Sequence, residues 1–252
     1  MFVIACRHVP ENNFIINLVE SIRKFHPNDK ICVVDSDSDD KTYALLLQKY
    51  DVIFMDARNK HHMIGAYWHA YESFPDEDFY FFMHDSMLVK ANLDYLKTRE
   101  LVTMCYFDRN QGNFNFWGNK VESTLNIPYK NEGLGCYGPI FFCKNSVMKS
   151  LDKLNVGSIL PNNKQETGYC EGMYGFLFEY IGFDLAKCAL FGDVLANESR
   201  GGKSGIYPHT TQWQYPVEKF YGSHLGGDRS WPEPAGNNFL ESLKSRLMKK
   251  FK

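Results

Sequence analysis

Over the first ninety positions, short apolar runs alternate with segments of helical spacing. Residues 2–6 (FVIAC), 31–34 (ICVV), 52–55 (VIFM) and 79–83 (FYFFM) are apolar runs of strand length. Between the first two, Ile15, Leu18, Val19, Ile22 and Phe25 recur at helical spacing, and residues 42–50 and 63–71 also read as helices. Nearly continuous apolar runs mark strands covered on both faces, and strict strand–helix alternation predicts right-handed βαβ units. The fold class expected is therefore α/β, with a mainly parallel central sheet flanked by helices.

The second half is less regular. Residues 101–107 and 139–143 read as strands, and the Asn-, Gly- and aromatic-rich stretch 108–138 between them as loops. A helix is expected over 145–154 with Asn145 as its N-cap, and another over 171–181 ended by Gly182. Residues 192–231 look like a long surface segment. Residues 239–251 carry Phe239, Leu240, Leu243, Leu247 and Phe251 on one helical face. No repeat and no Pro- or Ser-rich linker divides the chain. One domain over 1–252 is expected, with halves 1–100 and 101–237 and a basic C-terminal helix over 238–252.

Composition narrows the classes. With 28 basic and 30 acidic residues the net charge is −2, which argues against nucleic acid as a partner, since that needs a basic surface. The 44% hydrophobic and 23% charged content is that of a folded globular chain. No apolar run approaches the ~18 residues that span a bilayer, and the N-terminus does not read as a signal peptide. Seven scattered cysteines without a CxxC pair form neither a disulfide framework nor a zinc site, and point to a reducing, cytoplasmic setting.

Four familiar patterns fail on context. Gly133-Leu-Gly135-Cys-Tyr-Gly138 spells G-x-G-x-x-G but opens a strand, not a helix. Gly202-Lys203-Ser204 lacks the leading glycine of a P-loop. Asp35-Ser-Asp37-Ser-Asp39 lacks the glycine and glutamate of a calcium loop. Gly222-Ser223 lacks the frame of a nucleophile elbow.

What remains is the set of residues that follow the strands, where open α/β sheets bind ligands. The first strand ends in Arg7-His8, the second in Asp35-Ser36-Asp37, the third in Asp56 followed by Arg58, Asn59 and Lys60, the fourth in His84-Asp85-Ser86. Carboxylates at such an edge suit base or ribose donors. Arg7, Arg58 and Lys60 suit phosphate charge, as does the start of the helix near 61–63. Asp85 suits a hard divalent cation. Together these parts fit a nucleoside diphosphate.

In this order the motifs resemble the GT-A fold glycosyltransferases, in particular the large family-2-like group. Phe2–Cys6 with Arg7 is similar to the family's first strand, and Val33-Val34-Asp35-Ser36-Asp37-Ser38 to its nucleotide-binding strand. Tyr80-Phe-Phe-Met-His84-Asp85-Ser86-Met87 resembles the strand bearing Asp-x-Asp, reduced here to one acid. Residues 133–143 resemble the acceptor-side loop and strand, and Cys170-Glu171-Gly172-Met173-Tyr174-Gly175 the helix start that supplies the base. The resemblance covers residues 1 to about 183. It implies a Rossmann-like GT-A domain with a less regular acceptor side, and transfer of a sugar from a nucleotide-diphosphate donor to a glycan or lipid-linked acceptor. It further implies inversion through one base, Glu171, and Mn²⁺ or Mg²⁺ on Asp85 with His224 as a second ligand and His209 behind it. Arg7, Asp35, Asp37, Arg58, Asn59, Lys60, His84 and Asp85 would bind the nucleotide sugar, and Trp117, Tyr137 and Trp213 would stack on acceptor sugars.

Two other readings share these residues: a nucleotidyltransferase, disfavoured because Arg7-His8-Val9-Pro10 is not glycine-rich, and a nucleotide- or carbohydrate-binding module without turnover. Lys244, Arg246, Lys249, Lys250 and Lys252 surround the apolar face of the C-terminal helix, a pattern of peripheral contact with the membrane's inner face. The other reading of that helix is packing on the protein's own core.

Overall fold

A computed structural model describes residues 1–7, 14–58, 61–109, 116–193 and 216–219. The first half runs β1 (Phe2–Cys6), α1 (Phe14–Phe25), β2 (Ile31–Asp35), α2 (Tyr43–Leu47), β3 (Ile53–Asp56), α3 (His62–Ser73), β4 (Phe79–His84) and β5 (Met87–Val89). Then come β6 (Leu101–Thr103), β7 (Tyr106–Asp108), α4 (Phe116–Lys120), β8 (Leu134–Cys136) and β9 (Phe141–Lys144). Helices α5 (Asn145–Lys153), α6 (Lys164–Tyr180) and α7 (Leu185–Cys188) follow, and β10 (Val217–Lys219) stands apart.

Six strands form the central sheet in the order β3-β2-β1-β4-β9-β6. β1 to β4 are mutually parallel and β9 is antiparallel to both β4 and β6. The protein is thus α/β with a mainly parallel sheet, and residues from both sequence halves share that sheet. Side-chain alternation divides the core in two. Phe2, Ile4 and Cys6 of β1 face the cluster under α1 and α2, whereas Val3 and Ala5 face the one under α3, α5 and α6. The aromatic excess lies largely here. Phe81 stacks on Phe2 at 4.4 Å between ring centres, and Phe82 lies 4.8 Å from both Tyr67 and Phe141. Pairs of this kind add about 0.5–1.5 kcal/mol beyond the area they bury.

The second half departs from expectation in several places. The run 101–107 is two strands: β6 joins the central sheet and β7 pairs with β8 instead. The stretch 108–138 contains α4 and β8 as well as loop. Asn145 opens α5 as its first residue, with Lys144 at the cap. Its amide donates instead to Pro75 O, 2.8 Å away, in the turn before β4.

The helix expected over 171–181 starts earlier, at Lys164. Asn163 caps it by accepting from Glu166 N at 2.9 Å, while Glu166 accepts from Asn162 N at 2.9 Å. Asn-x-x-Glu is a capping-box spacing that stood in the sequence unread. Glu171 therefore sits in mid-helix, not at a helix start. Gly182 does end α6, at φ +99°, with Gly182 N bonded to Glu179 O and Phe183 N to Phe178 O.

Close packing of α6 on β8 depends on glycine. A Cβ on Gly175 would run into the Leu134 carbonyl and the Gly135 Cα. Buried Arg109 then pins the loop before β8. It donates to Leu134 O at 2.7 Å and to Glu132 O, and pairs with Glu179 at 2.9 Å. Gly133, at φ +108°, is the residue that lets the chain pass beside this guanidinium. The G-x-G-x-x-G spelling thus serves helix–strand packing and a pinned loop.

Candidate functional site at the carboxyl edge of the sheet

Register aligns the strand ends. Cys6 pairs with Asp35 and Asp35 with Asp56, while Ala5 pairs with His84. The residues after these positions therefore meet at one edge.

Asp35 is fully buried. Its Oδ1 accepts from Ser38 N at 2.7 Å and its Oδ2 from the Tyr43 hydroxyl. Both oxygens are engaged inside the protein, so Asp35 shapes the turn over 36–38. Asp37 is the acid this turn presents, half-buried and held at φ 74°. Arg58 (φ 47°) and His62 (φ 53°) share that left-handed conformation. Non-glycine residues tolerate it at a cost of order 1–3 kcal/mol, and such sites cluster where a ligand is gripped.

The start of α3 is tied to the strand ends. Ser36 Oγ donates to His62 O at 3.2 Å, and Arg7 Nη1 lies 3.4 Å from His62 Nδ1. His61 reaches the other way, its Nδ1 2.8 Å from Pro161 O, which links α3 to the approach to α6. Arg7 Nε is buried without a hydrogen-bond partner among the described residues. A buried donor left over in this way, beside a helix N-terminus, points to an acceptor from outside. Asp56 is already paired, to Lys41 at 3.0 Å and to Arg58 at 3.3 Å. Desolvation would raise its pKa, but these two cations outweigh it and hold the carboxyl below its usual range. The Asp56 bond likewise raises Lys41, a basic residue that the sequence reading passed over.

At the end of β4 stands Asp85, half-buried. Desolvation pushes its pKa up to about 6, and the charge of Lys219 opposes that shift. Lys219 arrives from far along the chain. β10 pairs antiparallel with β5, Lys219 opposite Met87, and Val217 is fully buried beneath. The ammonium donates to His84 Nδ1 at 3.3 Å and to Ser86 Oγ. Desolvation lowers its pKa to about 8 against the pull of Asp85. The Tyr67 hydroxyl, on α3, is buried without a hydrogen-bond partner among the described residues and lies in the field of Asp85.

The acceptor-side residues fall into two groups. Glu171 is half-buried and its Oε1 accepts from Gly138 N at 3.0 Å, which places Glu171 next to Tyr137. Cys136 is fully buried in β8, and burial pushes its pKa up, with the charge of Glu171 adding to the rise. Trp117 requires correction. It is fully buried, donates from its ring N–H to Glu166 O at 3.2 Å and has Lys120 over its face at 4.7 Å. In this structure the ring has no exposed face for an acceptor sugar. Asn59, Lys60, His209, Trp213 and His224 lie outside the described residues.

Among the described residues, the site does not fit the divalent ion that the resemblance implies. Mg²⁺ and Mn²⁺ want several oxygen ligands, supplied by one or two carboxylates together with substrate phosphates and waters, and they need those ligands free of a competing cation. The Asp-x-Asp position offers Asp85 alone, and the flanking His84 Nδ1 and Ser86 Oγ are bound to an ammonium that repels a dication. Among the described residues, the one close group of three potential ligands is His26, Asp29 and Asp94. It stands at the opposite edge of the sheet, before β2. His26 Nε2 accepts there from Leu93 N at 2.9 Å, so its Nδ1 carries the proton and donates to Asp29 at 2.8 Å. Lys97 already supplies a positive charge to Asp94 at 2.7 Å and to Asp29 at 3.4 Å.

The chain matches no protein-family model and no curated protein. Among solved structures it is similar to the galactosyltransferase LgtC in complex with donor and acceptor sugar analogs, at 12% identity over 69% of this chain and 70% of that one, TM-score 0.39. It is similar to S. aureus TarS at 13% identity over 69% of this chain, TM-score 0.39, and spans 55% of that chain. To the bifunctional glycosyltransferase WbbM the identity is 16% over 68% of this chain, TM-score 0.38, and this chain spans 37% of WbbM. Likeness at this level concerns the fold alone.

Proposed function

We propose that the protein transfers a sugar from a nucleoside-diphosphate sugar to a hydroxyl of a glycan or lipid-linked acceptor, with inversion at the anomeric carbon. The observation that carries this reading is the convergence at one sheet edge of Arg7, with a buried donor that has no partner among the described residues, the start of α3 and the strained turn bearing Asp37; the carboxylate Glu171, bonded to Gly138 N, is a second group. The first group suits a nucleoside diphosphate and the second a reacting hydroxyl. The halves 1–100 and 101–237 would then be the donor and acceptor sides of one domain.

In the transfer, Glu171 takes the proton of the acceptor hydroxyl as its oxygen bonds to the anomeric carbon. The bond from that carbon to the phosphate oxygen breaks, and its electron pair leaves with the nucleoside diphosphate. One displacement at one carbon inverts it. Holding Gly138 does not disqualify Glu171, because a carboxylate has about four acceptor positions. Tyr137, half-buried beside it, is the aromatic placed to cover a sugar face. Asp37 and Arg58 would meet the nucleoside and phosphates, and Asn59 and Lys60, which follow Arg58 in the sequence, would join them.

The test is release of nucleoside diphosphate from a panel of UDP-, GDP-, CDP- and dTDP-sugars, with and without simple glycoside acceptors. Turnover with at least one donor is expected. Glu171→Gln, which keeps the acceptor oxygen for Gly138 but cannot take the proton, should lower kcat ~10²–10⁴-fold. Binding of a donor without any turnover would leave a binding module. Binding of none would sink the nucleotide-sugar reading altogether.

A further inference from the structure

The poor fit of the β4 end to a dication has a counterpart: a cation already stands there. Lys219 is fixed by the pairing of β10 with β5 and by bonds to His84 Nδ1 and Ser86 Oγ, the two residues that flank Asp85. Lys219 and Asp85 also act on each other by charge, each opposing the shift that burial causes in the other. Two further donors are buried nearby without a hydrogen-bond partner among the described residues, Arg7 Nε and the Tyr67 hydroxyl. At the end of β4 these donors thus surround a single acid, Asp85, and its two flanking ligand atoms are already bound to an ammonium, a composition suited to phosphate oxygens more than to a dication.

Building on the nucleotide-sugar reading above, we infer that Lys219, together with Arg7, takes the place of a divalent cation at the donor diphosphate, so that transfer does not require a metal. Asp85 holds the ammonium in position by charge. As the bond from the anomeric carbon to the phosphate oxygen breaks, the electron pair stays on that oxygen. Lys219 meets the new charge by hydrogen bonding and keeps its proton. A lysine serves here as a point charge with three rotatable donors, which matches a diphosphate that changes shape and charge as it leaves.

The experiment uses the full chain and calorimetric titration with UDP, GDP, CDP, ADP and dTDP, each in EDTA and in Mn²⁺. At least one should bind in EDTA, with Mn²⁺ changing its Kd less than about threefold. Lys219→Met, which keeps most of the stem, should weaken that binding in EDTA roughly 10–100-fold, the range of a lost charge-assisted contact. Lys219→Arg should recover part of it. Circular dichroism of both variants guards against a folding defect. If a diphosphate binds wild type only with Mn²⁺, or binds Lys219→Met as tightly as wild type, the lysine role fails while the nucleotide-sugar reading stands. If none of the five binds under either condition, both fall together.

Discussion

His26 illustrates how a single buried residue ties stability to pH. Burial lowers its pKa from the ordinary 6.5, against the raising effect of its bond to Asp29. Asp94 and Lys97 also face it, with opposite effects. Its Nε2 accepts the Leu93 N–H, a bond that protonation destroys. The folded state thus takes up its proton at lower pH than the unfolded chain does. Stability from this group is present above the unfolded pKa and is lost as pH falls through the folded one. Urea midpoints measured from pH 7.5 down to pH 5 should decline for wild type, and His26→Gln should flatten part of that decline. Equal slopes in the two proteins would remove His26 from the account. A second residue-scale test concerns Asp37. Glycine adopts φ 74° without strain, so Asp37→Gly should cost little stability, within about 1 kcal/mol. It should nevertheless raise the KM for the donor, because it removes the acid that the turn presents. An unchanged KM would leave Asp37 as a turn residue only. Pattern reading expects Asp35 to bind the nucleoside with Asp37 secondary, whereas Asp35 has both oxygens engaged by Ser38 N and the Tyr43 hydroxyl, a reach across eight residues that no local pattern announces. Trp117 was misread for a related reason: nothing in a lone tryptophan's sequence context distinguishes a ring under Lys120 from one open to a sugar.

At the level of elements, the first four strands were legible because each is an apolar run closed by polar residues, and a parallel sheet buries such runs on both faces. The acceptor side was harder. β7 and β8 are three residues each and are defined by their pairing with one another, not by a pattern of their own. Helix α6 offers a matched pair of substitutions. Gly168 is exposed, and a Cβ there meets nothing within 4 Å. Gly168→Ala should therefore stabilise by about 0.5–1 kcal/mol, the ordinary gain of alanine over glycine in a helix. Gly175 sits on β8, where the added methyl meets backbone atoms that cannot rotate away. Gly175→Ala should destabilise by about 1–3 kcal/mol or more, the usual cost of overpacking. Urea midpoints of the two single mutants check both signs. If Gly175→Ala proved neutral, α6 would not rest on β8 as described, and Glu171 would not be held beside Gly138.

The whole molecule assembles its edge from distant stretches of chain. Lys219 lies 135 positions from the His84 it bonds, carried by a three-residue strand with no periodicity to betray it. That separation explains why the lysine escaped a reading that found Asp85. The same scale governs the C-terminal stretch, residues 239–252, which lies outside the described residues. Among those residues no helix is long and apolar enough to cross a membrane. A peripheral contact would need a different device, and the sequence FLESLKSRLMKKFK supplies one, with apolar residues at helical spacing and five basic residues around them. Each basic residue near an anionic surface contributes about 1 kcal/mol, which adds to the burial of the apolar face. An enzyme whose acceptor is lipid-linked gains from such an anchor, because the acceptor is confined to the same surface. We therefore expect the full chain to co-sediment with phosphatidylserine-containing vesicles at low salt and to dissociate as salt is raised. A chain ending at Asn237 should stay in the supernatant, and vesicles of neutral lipid should retain less of the full chain. If truncation leaves sedimentation unchanged, the last helix packs on the protein itself, and the acceptor has to be sought among soluble glycans.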